Sequence, residues 1–117
     1  MSITSWNVAF IPAERPTHCL AFSFDPATSV WVVIDPATRR TAVSTMTTRV
    51  FHRWLRRLAK RAFIVRAEVS DRRPRFTTGW LCVAEIKRLL GFRSGALFPG
   101  GLRRDLLRSG ARQVFKP

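Results

Sequence analysis

"HCLAFSFDPATSVWVVID", residues His18 to Asp35, is the stretch on which the fold turns. Two runs rich in aromatic and β-branched residues, HCLAFSF and VWVVID, flank DPATS, where Asp25 and Pro26 stand in the positions that start a type I turn. The reading is a β-hairpin. DPAT recurs at Asp35 to Thr38 and leads into RRTAVSTM, so a third strand around Thr41 to Thr45 is expected to turn back in the same way. The recurrence is turn chemistry and not a repeat architecture. Upstream, WNVAFIP reads as a short strand ahead of the Pro12 to Pro16 segment.

Beyond the third strand the apolar period lengthens. TTRVFHRWLRRLAKRA sets Phe51, Trp54, Leu55, Leu58 and Ala62 on one stripe, the signature of a helix capped by Thr47 or Thr48. FIVRAEV, from Phe63 to Val69, returns to strand character, and SDRRPR is an exposed basic loop. A second helix carries Cys82, runs to Leu90 and stops at Gly91. The remainder reads as a loop, a short helix over Leu102 to Arg108 ended by Gly110, and a last strand at Gln113 to Phe115. This order predicts an α+β fold: a small antiparallel sheet, made of the N-terminal hairpin strands and one later strand, packed against two main helices. With 117 residues, the chain is expected to be a single domain, residues 1–117.

Nearly half the residues are hydrophobic, with four Trp and nine Phe, the composition of a folded chain and not a disordered one. No apolar run approaches the ~18 residues of a membrane span. The start MSITSWNVAF lacks a signal peptide's basic region and cleavage site, so the expectation is a soluble chain made in the cytosol. The net charge is +14, and eighteen of the 21 basic residues are Arg. Such a balance favours anionic partners: nucleic acid, cell-wall polymer or an acidic protein. On the first helix Arg49, Arg53, Arg56, Arg57 and Lys60 have no acidic partner and repel one another. With Arg72, Arg73 and Arg75 of the basic loop, they are the candidate polyanion-binding residues. No recognised nucleic-acid motif accompanies them, and the aromatics fall at core spacings instead of forming a stacking platform. Cys19 and Cys82 are too few for a disulfide scaffold and read as free thiols. They and the two histidines lack paired metal-ligand spacing, so neither a metal nor a cofactor is expected. FRSGALFPGGL lacks the spacing of a phosphate loop and reads as a surface loop able to border Cys82.

Stepping 100° per residue along the second helix gathers Cys82, Val83, Ile86, Leu89 and Leu90 on one side, with Glu85, Lys87 and Arg88 elsewhere. Cys82 thus faces inward. Two roles fit an inward thiol at a helix start. It packs as a small hydrophobe, or it is a nucleophile whose pKa the helix terminus lowers. A nucleophile needs a base. His52 lies on the basic side of its helix and reads as a solvated imidazole, which leaves His18. A four-residue loop, Asp25 to Thr28, would set His18 directly opposite Asp35, on a face shared with Leu20, Phe22, Trp31 and Val33. A five-residue loop would put Asp35 opposite Cys19 instead. The first register gives an imidazole oriented by a carboxylate, the partner a thiolate nucleophile requires. In that arrangement His18 and Cys82 are expected to meet across the interface between sheet and helix.

The order of these parts resembles a known family. A His opening a strand, a polar residue ending the next, an intervening helix and strand, and a Cys near a helix start are the pattern of the circularly permuted papain-like hydrolases. These include permuted NlpC-type and lecithin:retinol acyltransferase-like enzymes. More narrowly, RPTHCLAFSF, WVVIDP and FTTGWLCVAEIKRLLGF with FPGGLRRDLLRSGA are similar to segments of small phage proteins in which a similar His, Asp-Pro and Cys-bearing helix recur. The resemblance spans about residues 6 to 110 as a pattern and is specific only in those motifs. It implies a permuted papain-like fold with Cys82 as nucleophile, His18 as general base and Asp35 as the orienting residue. It further implies thiol-mediated cleavage of an amide or acyl bond, with peptidoglycan as the natural substrate. The chain would be made in a bacterial host's cytoplasm and carried on a virion or its tail. The alternative is a non-catalytic basic module, either a virion structural piece bound to an acidic virion protein or a nucleic-acid binder.

Overall fold

A computed structural model describes residues 3–12, 18–36, 40–70, 79 and 81–117. Six strands, β1 (Ser5–Ile11), β2 (His18–Asp25), β3 (Val30–Pro36), β4 (Thr41–Met46), β5 (Phe63–Glu68) and β6 (Arg112–Phe115), form one antiparallel sheet in the order β4-β3-β2-β1-β5-β6. Three helices complete the fold: α1 (Thr48–Ala59), α2 (Leu81–Leu90) and α3 (Pro99–Arg108). The class is the α+β one expected, with the sheet larger than foreseen because both terminal strands join it.

β1 and β2 lie at the centre and are buried along nearly their whole length, so they read as continuous apolar runs and not as alternating ones. Their side chains still alternate between two cores. Trp6, Val8, Phe10, Cys19 and Ala21 pack with Val65 and Ala67 beneath α2 and α3. Ala9, Ile11, Leu20 and Phe22 pack with Val33 and Ile64 beneath α1. The sheet is therefore the middle of three layers. The two edges are handled differently: β4 is polar and exposed, and β6 is short and breaks register between Ile64 and Val65.

α1 begins where Thr47 accepts a hydrogen bond from the Val50 N–H at 3.4 Å, a side-chain N-cap. Its buried anchors are Phe51 and Leu58. The Phe51 ring stacks on Trp31 with centroids 3.8 Å apart, and Trp54 meets Phe22 edge-on at 5.5 Å. α2 ends as foreseen at Gly91, whose φ of +64° is a left-handed stop, and the Phe92 N–H donates to the Lys87 carbonyl at 2.9 Å. α3 starts three residues before the expected Leu102, since Pro99 occupies a first-turn position that needs no N–H.

The β2–β3 hairpin corrects the expected register. Asp25 is still paired, with Val30, so the loop is Pro26 to Ser29 and not Asp25 to Thr28. The Asp25 carboxylate accepts the Ala27 N–H at 3.1 Å and the Thr28 hydroxyl at 2.8 Å. The Ser29 N–H closes the turn on the Asp25 carbonyl at 2.8 Å, with Ser29 itself at a φ of +56°. The last ladder pair is Ala21 with Ile34, and continuing it one step sets Asp35 opposite Leu20 instead of His18. The slip is two residues, so every side chain keeps its face.

Phe51→Ala should destabilise the fold by about 3–5 kcal/mol, since it empties the centre of the aromatic cluster, whereas truncating exposed Val50 to Ala should stay within about 0.5 kcal/mol. Urea unfolding midpoints of the two variants at constant slope test this.

Candidate active site

Cys82 is the second residue of α2, in the turn whose backbone N–H groups have no helical partner. Its side chain is 7 % exposed and lies in the α2 and α3 core, the inward orientation read from the helix period. What enters that turn is set by Gly79, at a φ of +119°. A Cβ there would stand 3.0 Å from the Leu97 carbonyl oxygen, 3.1 Å from that of Ala96 and 3.1 Å from Val83 Cγ1. Glycine is required on both counts.

The 94–97 loop that presses on Gly79 is held in turn by Lys87. The period of α2 set Lys87 among the outward residues, but it is 1 % exposed. Its ammonium donates to the Ala96 carbonyl at 2.6 Å and the Ser94 carbonyl at 2.8 Å, so the buried cation is hydrogen-bonded to the loop. Burial lowers its pKa, with Asp105 pulling the other way. The Ser94 hydroxyl donates to Asp105 of α3 at 2.6 Å and accepts the Ala96 N–H at 3.0 Å, fixing the loop to both helices.

His18, the first residue of β2, and Asp35, near the end of β3, meet across those two strands. His18 Nε2 and Asp35 Oδ1 are 2.5 Å apart, which leaves Nδ1 as the ring nitrogen available to a sulfur. By the alternation of β2, His18 belongs with Leu20 and Phe22 on the α1 side, not on the Cys82 side. Its ring nonetheless lies close enough to the Cys82 sulfur for the two to shift each other's protonation, the imidazole upward and the thiol downward. The meeting therefore takes place around the end of the sheet and not across the sheet-to-helix interface as expected. Ladder pairing between β2 and β3 stops at Ala21 and Ile34, while β3 continues beside β4 through Asp35 and Pro36. His18 and Asp35 lie past that last pair, with His18 held by β1 opposite Ile11 and its ring joined to Asp35. The His18 side chain is 22 % exposed and that of Asp35 45 %, so the pair is open to solvent while the sulfur is nearly closed off.

The electrostatics follow from these contacts. The Cys82 sulfur takes a hydrogen bond from the Cys19 thiol, then from His18 and the Cys19 backbone N–H, and these outweigh burial to bring its pKa from 9.0 down to about 4. Asp35 first, and Cys82 second, raise the His18 imidazole from 6.5 to about 10 against the effect of burial. Cys19 is pushed far up by its hydrogen bond to Cys82 and by burial, so it keeps its proton. Near neutral pH the site is a thiolate beside an imidazolium, with a neutral thiol as a further donor. Cys19 was not read from the sequence as part of the site. The one available signal was its place beside His18, facing the layer that an inward Cys82 also faces.

Of the expected polyanion-binding residues, Arg49, Arg53, Arg56, Arg57 and Lys60 are all exposed on α1 or at its C-cap, and α1 carries no carboxylate. Arg72, Arg73 and Arg75 lie outside the described residues. His52 is exposed, as read from the helix period. Among the described residues no helix is long and apolar enough to cross a membrane.

No protein-family model, curated protein or solved structure matches the chain. The site must be read from its own chemistry.

Iodoacetamide should label Cys82 and spare Cys19, at a rate that changes little between about pH 5 and pH 8 and falls only as pH approaches the lowered thiol pKa. His18→Ala should slow labelling near pH 7 and restore a rate that climbs with pH, because the thiol regains its proton. Equal, slow labelling of both cysteines would return Cys82 to a packing role.

Proposed function

We propose that the chain is a cysteine hydrolase of the circularly permuted papain-like pattern. The observation that supports this reading is the His18–Asp35 pair joined at 2.5 Å, with the Cys82 thiol of α2 near enough to be held down in pKa by His18 and to hold the imidazole up. Cys82 attacks the carbonyl carbon of an amide or ester, forming the C–S bond and an oxyanion. The N–H groups of the first turn of α2, which have no partner within the helix, are the donors available to that charge. Collapse expels the amine or alcohol, which takes its proton from the His18 imidazolium. A water then gives its proton to the neutral imidazole and attacks the thioester carbonyl, the C–S bond breaks, and the thiolate returns. Asp35 holds the ring through Nε2 so that the other nitrogen serves the reacting atoms. The substrate class proposed is the peptide cross-link of peptidoglycan, met from a virion or tail.

Purified peptidoglycan incubated with the wild-type chain should release soluble fragments bearing new amino termini, and Cys82→Ala should release none. Release by both forms would sink the assignment of Cys82. Release by neither, with Cys82 still hyper-reactive toward iodoacetamide, would remove peptidoglycan and leave the thiol chemistry to another acyl donor.

A second reading, a non-catalytic basic module, is favoured by one observation: α1 presents Arg49, Arg53, Arg56, Arg57 and Lys60 together with no carboxylate on the helix. Retention on heparin or duplex DNA should weaken steeply with salt, and replacing Arg53, Arg56 and Arg57 by Gln should make that dependence shallower. An unchanged salt slope in the triple variant would remove this face as the binding surface. Tight, sequence-selective DNA binding would favour the module over the hydrolase.

A further inference from the structure

The hydrolytic scheme uses Cys82, His18 and Asp35 and gives the Cys19 sulfur no bond to make. Yet Cys19 is the nearest thing to a second reactive group in the site. It is fully buried in the same core cluster as Cys82, against which β2 packs α2, and the two thiols shift each other's pKa in opposite directions. The two are the only cysteines in the chain, each the second residue of its element, and β2 and α2 bring them into one core cluster from distant parts of the sequence. A residue present only to fill space at position 19 would need no sulfur, since Ala21, two residues on, serves the same core layer with a methyl group. Solvent touches the His18 and Asp35 side chains and a small part of Cys82, while Cys19 has no exposed surface at which a second protein's thiol could react.

We infer that Cys19 is a resolving thiol, and that Cys19 and Cys82 form a reversible intramolecular disulfide when a hydroperoxide reaches the site. The Cys82 thiolate attacks one peroxide oxygen, the S–O bond forms and the O–O bond breaks, and the departing hydroxide takes a proton from the His18 imidazolium to leave as water. Cys82 is then a sulfenic acid. The Cys19 sulfur attacks the Cys82 sulfur, the S–O bond breaks, and the second hydroxide combines with the Cys19 proton as water. Two electrons pass from the two sulfurs to the peroxide, and the chain loses two hydrogens. A disulfide of ~2.05 Å is shorter than any thiol hydrogen bond, so the first turn of α2 and the start of β2 must draw together. In the oxidised form Cys82 has no free thiolate, and it is shielded from further, irreversible oxidation. The inference rests on the two free thiols being buried in one cluster where α2 packs on β2, and not on Cys82 cleaving an acyl bond.

The test is to treat the folded, full chain with hydrogen peroxide and follow intact mass, peptide maps under non-reducing conditions and iodoacetamide labelling. The expected result is loss of the mass of two hydrogens, a Cys19–Cys82 cross-linked peptide, loss of Cys82 labelling, and recovery of all three on adding dithiothreitol. In Cys19→Ala, folded by its thermal melt, the same dose should add two or three oxygens to Cys82, beyond recovery by dithiothreitol. Sulfinic or sulfonic Cys82 in the wild-type chain with Cys19 unmodified would overturn the inference, as would a disulfide found only between two chains. If Cys19→Ala does not fold, the wild-type map decides alone, because the cross-linked peptide is either present or absent. Formation of the disulfide in a chain that releases nothing from peptidoglycan would leave this inference standing while the hydrolase reading fell.

Discussion

An ionised sulfur survives inside a protein only when its neighbours donate to it, because burial by itself drives a thiol to keep its proton. That requirement organises this molecule. The donors to Cys82 come from one short segment, since His18 and Cys19 are consecutive residues that reach the sulfur from different sides: Cys19 from within the core layer and His18 around the end of the sheet. Consecutive strand residues ordinarily serve opposite faces. Here both act on one sulfur although β1 pairs with each of them, His18 opposite Ile11 and Cys19 opposite Phe10.

The other half of the site is held by a buried cation. Lys87 has little of its surface in water and spends its hydrogen bonds on two loop carbonyls, one of which also crowds Gly79. Truncating a lysine so placed would leave those carbonyls without a donor, at about 1–3 kcal/mol each, and would loosen the loop against which the entry to α2 rests. Asp105 and Ser94 extend the same brace to α3. The position of the Cys82 sulfur thus depends on contacts more than one helical turn away from it.

Much of this was legible in the sequence. The hairpin, α1 with its Thr47 cap, the stop of α2 at Gly91 and the inward turn of Cys82 follow from local rules, namely turn residues, apolar period and glycine conformations. The pairing of His18 with Asp35 was reached by way of a register two residues off. It survived because an even slip preserves the face and a histidine side chain spans the remaining diagonal. The angle of Lys87 on the helix sets it off the Cys82 side, which is correct, while its burial depends on a loop whose path no local rule supplies. The contact between Cys19 and Cys82 was invisible for a similar reason: it requires knowing which part of the sheet α2 crosses.

The placing of α1 has a consequence for any encounter with a charged surface. Its cationic residues and the Cys82 sulfur are served by opposite cores of the same sheet, so a polymer drawn onto α1 lies on the far side of a layer about 10 Å deep from the thiolate. Adsorption and bond-making are then separate properties of the chain. Ionic strength governs how long the molecule lingers, and proton balance at the sulfur governs what it does there. A chain resting on α1 would keep the Cys82 sulfur in the layer of α2 and α3, turned away from the surface it rests on.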